Sequence, residues 1–316
     1  MSDPVLQVRD LSVRYGPVQA VRGVTLTAAR GEVVGIVGES GCGKSTLASA
    51  LIALTAPGAR ATGQIAIEGQ DLVAMTEAQR RALRGDRVAM VFQDPMTAFN
   101  PVLTLGAQLV DFQHRASLTK AEKRARAAAM LARVGLPDPE LALTRYVHEL
   151  SGGMRQRAAI AAALMMRPAL LIADEPTTAL DVTMEAQILH LLRELRRDHD
   201  GAIVIITHHL GVVGELCDRV YVMYAGQVVE EGTVDEIYHD PRHPYTAALI
   251  SCDPAHIADR AEILPTIPGR LPDLTQPPAG CAFAARCTLA TARCAKPPPR
   301  VVLSATHAAL CHEVTP

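Results

Sequence analysis

The chain predicts an α/β fold: a mainly parallel sheet preceded by short antiparallel strands, interrupted by a helical insertion and followed by a small cysteine-bearing tail. Three observations carry this. The runs Val33-Val34-Gly35-Ile36-Val37, Val88-Ala89-Met90-Val91-Phe92, Leu170-Leu171-Ile172-Ala173 and Ala202 to Ile206 are continuously apolar and strand-sized, as buried parallel strands are. Helical patterns separate them, and strands alternating with helices imply a parallel sheet. Strand formers become scarce between Asp94 and Met166, where a helical insertion is expected.

In chain order, Val5 to Thr27 alternates apolar and polar residues around Tyr15-Gly16-Pro17, which reads as antiparallel strands joined by a turn. Val33 to Val37 runs into a glycine-rich loop, with a helix beginning at Lys44, and Gln64 to Gly69 reads as another strand. Thr119-Lys120-Ala121-Glu122 is a capping box and Gly135 a C-terminal stop, so a helix fills the interval; its Lys and Arg residues read as a solvated face. Ile188, Leu191, Leu192 and Leu195 mark one face of an amphipathic helix. After Asp240 the composition shifts: Pro and Gly crowd from Pro265 to Gly280, followed by four cysteines, which suggests a linker and a tail with its own organisation. The expected division is residues 1–240, with the insertion at about 94–166, and 241–316.

With 316 residues, 49% of them hydrophobic, the chain can build one large domain and an appendage. A net charge of -2 gives no reason to expect a nucleic-acid partner. The apolar stretch from Ala158 to Ala173 is broken by Arg167 and Pro168, short of the roughly 20 residues that cross a bilayer. The N-terminus shows no signal-peptide pattern, so a cytosolic protein reaching a membrane only through a partner is expected. In that compartment the cysteines point to metal rather than disulfides.

Gly38-Glu39-Ser40-Gly41-Cys42-Gly43-Lys44-Ser45-Thr46 has the G-x-x-x-x-G-K-[ST] form that cradles nucleoside triphosphates. Lys44 is placed for the β/γ-phosphates, the amides of Gly41 to Lys44 for the phosphate oxygens, and the Ser45 hydroxyl for Mg²⁺. Asp174 ends an apolar strand, where a carboxylate can meet the metal through water; Glu175, next to it, is the candidate to orient and deprotonate the attacking water. Leu150-Ser151-Gly152-Gly153-Met154-Arg155-Gln156 offers a second anion site, of backbone amides and a hydroxyl at a helix start.

The pairing of these two motifs resembles the ATPase subunits of ABC transporters. That resemblance implies an ABC ATPase domain of P-loop NTPase type, with a RecA-like parallel core, an antiparallel β subdomain and a helical insertion. It implies a dimer in which Ser151, Gly152 and Gly153 act on the nucleotide of the opposite subunit. It also assigns Tyr15 to stacking on adenine, Gln93 to a loop touching Mg²⁺ or water, Asp181 of Thr178-Ala179-Leu180-Asp181 to contact with the other subunit, and His208 to the γ-phosphate. Read without the family, Tyr15 is a turn aromatic, Asp181 a helix N-cap and His208 a satisfied polar group. Met154, His209 and Ala98-Phe99 depart from the broad family pattern, and the last pair bears on docking to the membrane partner.

His243-Pro244-Tyr245-Thr246, Ile267-Pro268-Gly269 and Pro278 to Phe283 resemble the C-terminal region of oligopeptide/dipeptide and nickel importer ATPases. The branch carries a [4Fe-4S] cluster on cysteines like Cys281, Cys287, Cys294 and Cys311. Separated by five, six and sixteen residues, four soft thiolates can bind a [4Fe-4S] cluster or tetrahedral Zn²⁺; the two-residue spacing of a zinc knuckle is absent, so iron-sulfur is favoured, with zinc and unliganded packing as the alternatives. Cys42, Cys217 and Cys252 read as packing residues, although Cys42, near a helix N-terminus, could be a reactive thiol. The implied function is an importer ATPase on the cytoplasmic face of the cell membrane. It would pair with a sibling or with itself, drive two transmembrane permeases and be served indirectly by an extracytoplasmic solute-binding protein. Peptide is the first choice of cargo and nickel the second. Soluble ABC ATPases acting on DNA or ribosomes, and a cluster-based redox sensor, are the rival readings; there is a single glycine loop and no sustained heptad pattern.

Overall fold

A computed structural model describes residues 4–178, 181–253 and 265–315. The described strands are β1 (Leu6–Tyr15), β2 (Val18–Ala28), β3 (Val33–Val37), β4 (Ala59–Ile67), β5 (Gln70–Asp71), β6 (Val88–Val91), β7 (Leu170–Asp174), β8 (Ala202–Thr207), β9 (Arg219–Tyr224), β10 (Gln227–Thr233), β11 (Arg300–Val302) and β12 (Ala308–Leu310). Helices are α1 (Lys44–Leu51), α2 (Glu77–Leu83), α3 (Leu105–Phe112), α4 (Lys120–Arg133), α5 (Pro139–Thr144), α6 (Gly152–Leu164), α7 (Val182–Asp198), α8 (Leu210–Leu216), α9 (Val234–His239) and α10 (Pro244–Ser251).

Two sheets result. One is antiparallel with order β2-β1-β4-β5, and the other has order β11-β12-β10-β9-β3-β8-β7-β6. In the second, β6, β7, β8, β3 and β9 run parallel, and β10, β12 and β11 add antiparallel strands at one edge. The continuous apolar runs follow from burial on both faces. Leu171, Ala173, Ile203 and Ile205 enter the core beneath the helical insertion, while Leu170, Ile172, Val204 and Ile206 enter the core shared with α1 and the antiparallel sheet. Alternation along one strand therefore fastens both layers to the same ribbon.

The insertion forms as expected. Thr119 caps α4 through its capping box, and Ala127 and Leu131 are its buried residues; no strand interrupts residues 94–166. α7 buries Ile188, Leu189, Leu191, Leu192 and Leu195, so truncating one of these leucines to Ala would cost about 2–5 kcal/mol. The tail departs from the sequence reading of a separately organised piece. Glu230 and Glu231 of β10 pair with Ala309 and Ala308 of β12, so the last strands extend the main sheet. A buried hydrogen-bonded contact, His307 Nε2 to Glu230 at 2.8 Å, lies across that junction, and the Glu230 carboxylate also accepts from the backbone N–H groups of Arg242 and His243. The buried carboxyl is tolerated there because each oxygen is engaged.

Candidate nucleotide and catalytic site

The glycine loop lies between β3 and α1, at the carboxyl ends of the parallel strands, where such sheets bind ligands. Its glycines are required by space as well as by backbone. A Cβ on Gly38 (φ 151) would stand 2.2 Å from the Met223 carbonyl oxygen, and one on Gly43 (φ 108) 2.3 Å from that of Ala20. Gly43 also supplies the left-handed cap from which α1 starts, leaving helix-terminal amides directed at an anion. Lys44 is buried, and its ammonium donates to the Gly38 and Glu39 carbonyls at 2.7 and 3.1 Å, folded back over the loop.

Asp174 and Glu175 leave β7 into this cleft with different environments. Asp174 is buried and its Oδ1 has no hydrogen-bond partner. Burial and then the neighbouring Glu175 charge push its carboxyl up to about 6, against a hydrogen bond from Ser45 and the charge of Lys44. A buried, unpartnered carboxylate oxygen beside a serine hydroxyl is the donor set a hard divalent cation takes, so these residues fit Mg²⁺. Glu175 has a left-handed backbone (φ 47), a strain of about 1–2 kcal/mol held by its N–H donating to Ile206 O at 2.7 Å. Its Oε2 accepts from Gln93 Nε2 at 3.0 Å and Thr178 Oγ1 at 2.8 Å, and Oε1 meets His208 Nδ1 at 3.1 Å. Burial alone would raise this carboxyl, but bonds from Thr178 and His208 outweigh it and hold it below the usual carboxylate range, ionised at neutral pH.

Gln93, Glu175 and His208, far apart in sequence, are thus one hydrogen-bonded set. They line a cleft of about 820 Å³ together with Tyr15, Lys44 and Ser45. Leu249 and Leu274 also line it, and sequence reasoning did not single them out. Gln19 N–H, four residues beyond Tyr15, donates to Leu274 O at 2.8 Å. His209, where the broad family has an acidic residue, lies edge-on to His208 and 3.9 Å from Glu185 Oε1, which accepts from Thr177.

Ser151 caps α6, accepting from Met154 N–H, and Gly152 and Gly153 begin the helix. None of the three lines the phosphate cleft. The Met184 side chain packs on Gly153, its Cε 1.3 Å from where a Cβ would stand, so a side chain there would displace that methionine. Gln156 is buried on this helix and donates to Pro176 O at 2.7 Å, fastening it to the segment that carries Glu175. Asp181 caps α7 through Met184 N–H, as its sequence context also predicts. Ala179 and Leu180, expected in the same loop, lie outside the described residues.

Cys42 is buried, and burial pushes its thiol up, against the reading of a reactive cysteine. Cys217 is a packing residue whose thiol burial likewise raises. In the tail, Cys281 N–H donates to Cys294 O at 2.9 Å. Burial raises the thiols of Cys281, Cys287 and Cys311, and the proximity of other cysteines adds to it. Each of these three sulfurs also accepts a backbone N–H from the residue two positions on, Phe283, Leu289 and Glu313, which favours the thiolate. Among the described residues, however, no three His, Cys, Asp or Glu side chains are set closely enough to hold a single metal ion.

Glycine loop, buried aspartate, and an ionised glutamate in contact with a histidine together define a nucleoside-triphosphate hydrolase site. Residues 21–178 match the family described as ABC transporter, and residues 229–294 the oligopeptide/dipeptide transporter C-terminal region. The chain is 49% identical to the oligopeptide transport ATP-binding protein OppD of Bacillus subtilis over 90% of this chain and 82% of that one. It is 46% identical to the probable D,D-dipeptide transport ATP-binding protein DdpD of Escherichia coli over 94% and 93%. Among solved structures it resembles the dimeric, post-hydrolysis ATP-binding cassette MJ0796 bound to ADP and Pi, with a TM-score of 0.64 and 28% identity, covering 72% of this chain and 98% of that one. The chain belongs to the ABC transporter family, as an ATP-binding, ATP-hydrolysing subunit. Among the described residues no helix is long and apolar enough to cross a membrane.

Proposed function

We propose that this chain is one of two ATPase subunits of an importer of di- or oligopeptides, working at the cytoplasmic face of the cell membrane. The observation that carries the catalytic reading is the ionised Glu175 carboxylate, held by Gln93, Thr178 and His208 at the mouth of the loop containing Lys44. The names of the relatives support the cargo.

ATP enters with its adenine against Tyr15 and its phosphates over the amides of Gly38 to Thr46, with Lys44 leaving its carbonyl partners for the β/γ-phosphates. Ser45 and Asp174 would hold Mg²⁺ and Gln93 would approach it; when bound, the ion neutralises charge on the phosphates. Glu175 orients the attacking water and accepts its proton, while His208 contacts the γ-phosphate. Ser151, Gly152 and Gly153, outside their own chain's cleft, serve the partner's nucleotide, and Asp181 lies beside that interface. The dimeric state of the cassette MJ0796 supports a dimer.

The helical insertion (about 94–166) of an ATPase domain spanning 1–240 is the surface for two transmembrane permeases, and a solute-binding protein would act through them. Val102, Leu103, Leu141 and Tyr146 stand exposed there, 74%, 40%, 49% and 40% accessible, consistent with a face that another protein covers. In the 241–316 region, Cys281, Cys287, Cys294 and Cys311 would hold a [4Fe-4S] cluster. The backbone N–H groups directed at three of the sulfurs favour thiolates there, against burial and the neighbouring cysteines, which raise the thiols. A single zinc would draw its sulfurs to about 3.8 Å from one another, given a Zn–S bond of about 2.3 Å. The choice of iron over zinc rests on the likeness of this tail to the importer branch.

Co-purification with two hydrophobic permeases and ATP-dependent uptake of labelled peptide into vesicles tests the assignment; ATPase activity without either would overturn it. Anaerobically purified protein should be brown, and Cys287→Ser or Cys294→Ser should remove colour and iron. Colourless protein with one zinc per chain would reject the cluster.

A further inference from the structure

Glu39 belongs to the phosphate loop, yet it is held from the far end of the chain. Both carboxylate oxygens are taken by Arg286, Nη1 to Oε2 at 2.7 Å and Nη2 to Oε1 at 3.0 Å. Arg286 is itself buried, its side chain 4% exposed, and its remaining donors reach Tyr224 OH (3.3 Å), Ile267 O (3.0 Å) and Pro268 O (2.8 Å). All five guanidinium N–H groups are thereby engaged, with the group lying near the Tyr224 and Phe283 rings. The Glu39 backbone is held from the same side, its N–H donating to Tyr245 OH at 2.8 Å. Leu271 Cδ1 stands 3.6 Å from where a Gly41 Cβ would be, so the same C-terminal segment packs against the loop.

From this arrangement we infer that Arg286 is a positioning residue of the nucleotide site. It fixes Glu39 and cancels the one carboxylate that the phosphate loop carries, so that a triphosphate meets a loop with no uncompensated negative charge. The inference rests on the ATP-site reading above. A fork-shaped cation is required because two oxygens and three further acceptors are served at once, which a point-charge ammonium cannot do. The C-terminal region is then a wall of the nucleotide site as well as a neighbour of it.

The test uses the full chain and equilibrium titration with a fluorescent ATP analogue in Mg²⁺. Wild-type binding comes first; its absence would strike the ATP-site reading and leave Arg286 aside. Arg286→Ala should weaken binding about tenfold or more, with kcat at saturating ATP within about threefold, so that the loss falls on KM. Arg286→Lys should lose a smaller part, about threefold, and keeps the test alive if the alanine variant fails to fold. Adding Glu39→Gln to either variant should restore affinity to within about threefold of wild type, because the carboxylate left uncompensated is gone. A residue that merely anchors the tail would show no such rescue. Wild-type affinity in the Arg286 variants, or failure of Glu39→Gln to restore it, overturns the proposal.

Discussion

Replacing Glu175 by Gln separates the chemistry of this side chain from its place in the structure. The carboxylate accepts from Gln93 and Thr178 on one oxygen and meets His208 on the other. An amide can keep its oxygen towards Gln93 and Thr178 and turn its NH₂ to His208 Nδ1, which then accepts in the complementary tautomer. No donor is left unpaired, so the fold should lose no more than about 1 kcal/mol, roughly 2 °C in Tm for a chain of this size. What the amide cannot do is take a proton from water. Loss of a general base lowers turnover by about 10² to 10⁴, equivalent to about 3–5 kcal/mol of barrier. Steady-state phosphate release should fall by that factor while binding of the fluorescent ATP analogue persists, and size-exclusion chromatography with ATP should show an accumulated dimer. Hydrolysis within tenfold of wild type would refute the assignment, and so would a large drop in Tm, since the defect would then be one of folding.

Mixing subunits carrying Ser151→Arg with subunits carrying Lys44→Ala should restore at most one intact composite site per mixed dimer, read as ATPase activity absent from either variant alone; hydrolysis by a strict monomer would refute the trans arrangement. Gly43→Ala should abolish measurable ATP binding, because its Cβ would overlap the Ala20 carbonyl at 2.3 Å on a backbone with φ 108, and an unchanged titration would contradict the loop geometry. His243 is buried with its pKa lowered by desolvation to about 4, from an ordinary 6.5. The unfolded chain therefore binds the proton first as pH falls, and stability should be lost between about pH 6.5 and 4, by about 3 kcal/mol in all. Urea denaturation at stepped pH should show His243→Asn with a flatter slope over that window, and equal slopes would refute the contribution.

How much of this was legible in the sequence depended on whether a feature was signalled by burial or by distant backbone pairing. Asp174 and Glu175 could be read because the apolar run Leu170 to Ala173 ends at them, and Lys44 because the loop spacing is dictated by phosphate geometry. β4 was expected from Gln64, but it begins at Ala59. Its first half is exposed and is held by antiparallel pairing with β1, Ser12 opposite Thr62, which leaves no apolar trace. The tail was expected to stand apart because its proline and glycine content masks β11 and β12, strands of three residues whose place is set by the free edge of β10. Arg286 and Tyr245 were invisible as site residues for a related reason: each lies more than 200 positions from Glu39, and nothing local to either, not even the motif that holds Tyr245, ties it to the phosphate loop. Their burial follows from the tail returning to β10, which carries the C-terminal region back over the end of β3 where the phosphate loop begins. Under that topology a change in the cysteine segment has a short physical route to the nucleotide, because Arg286 immediately precedes Cys287 and its guanidinium ends on Glu39.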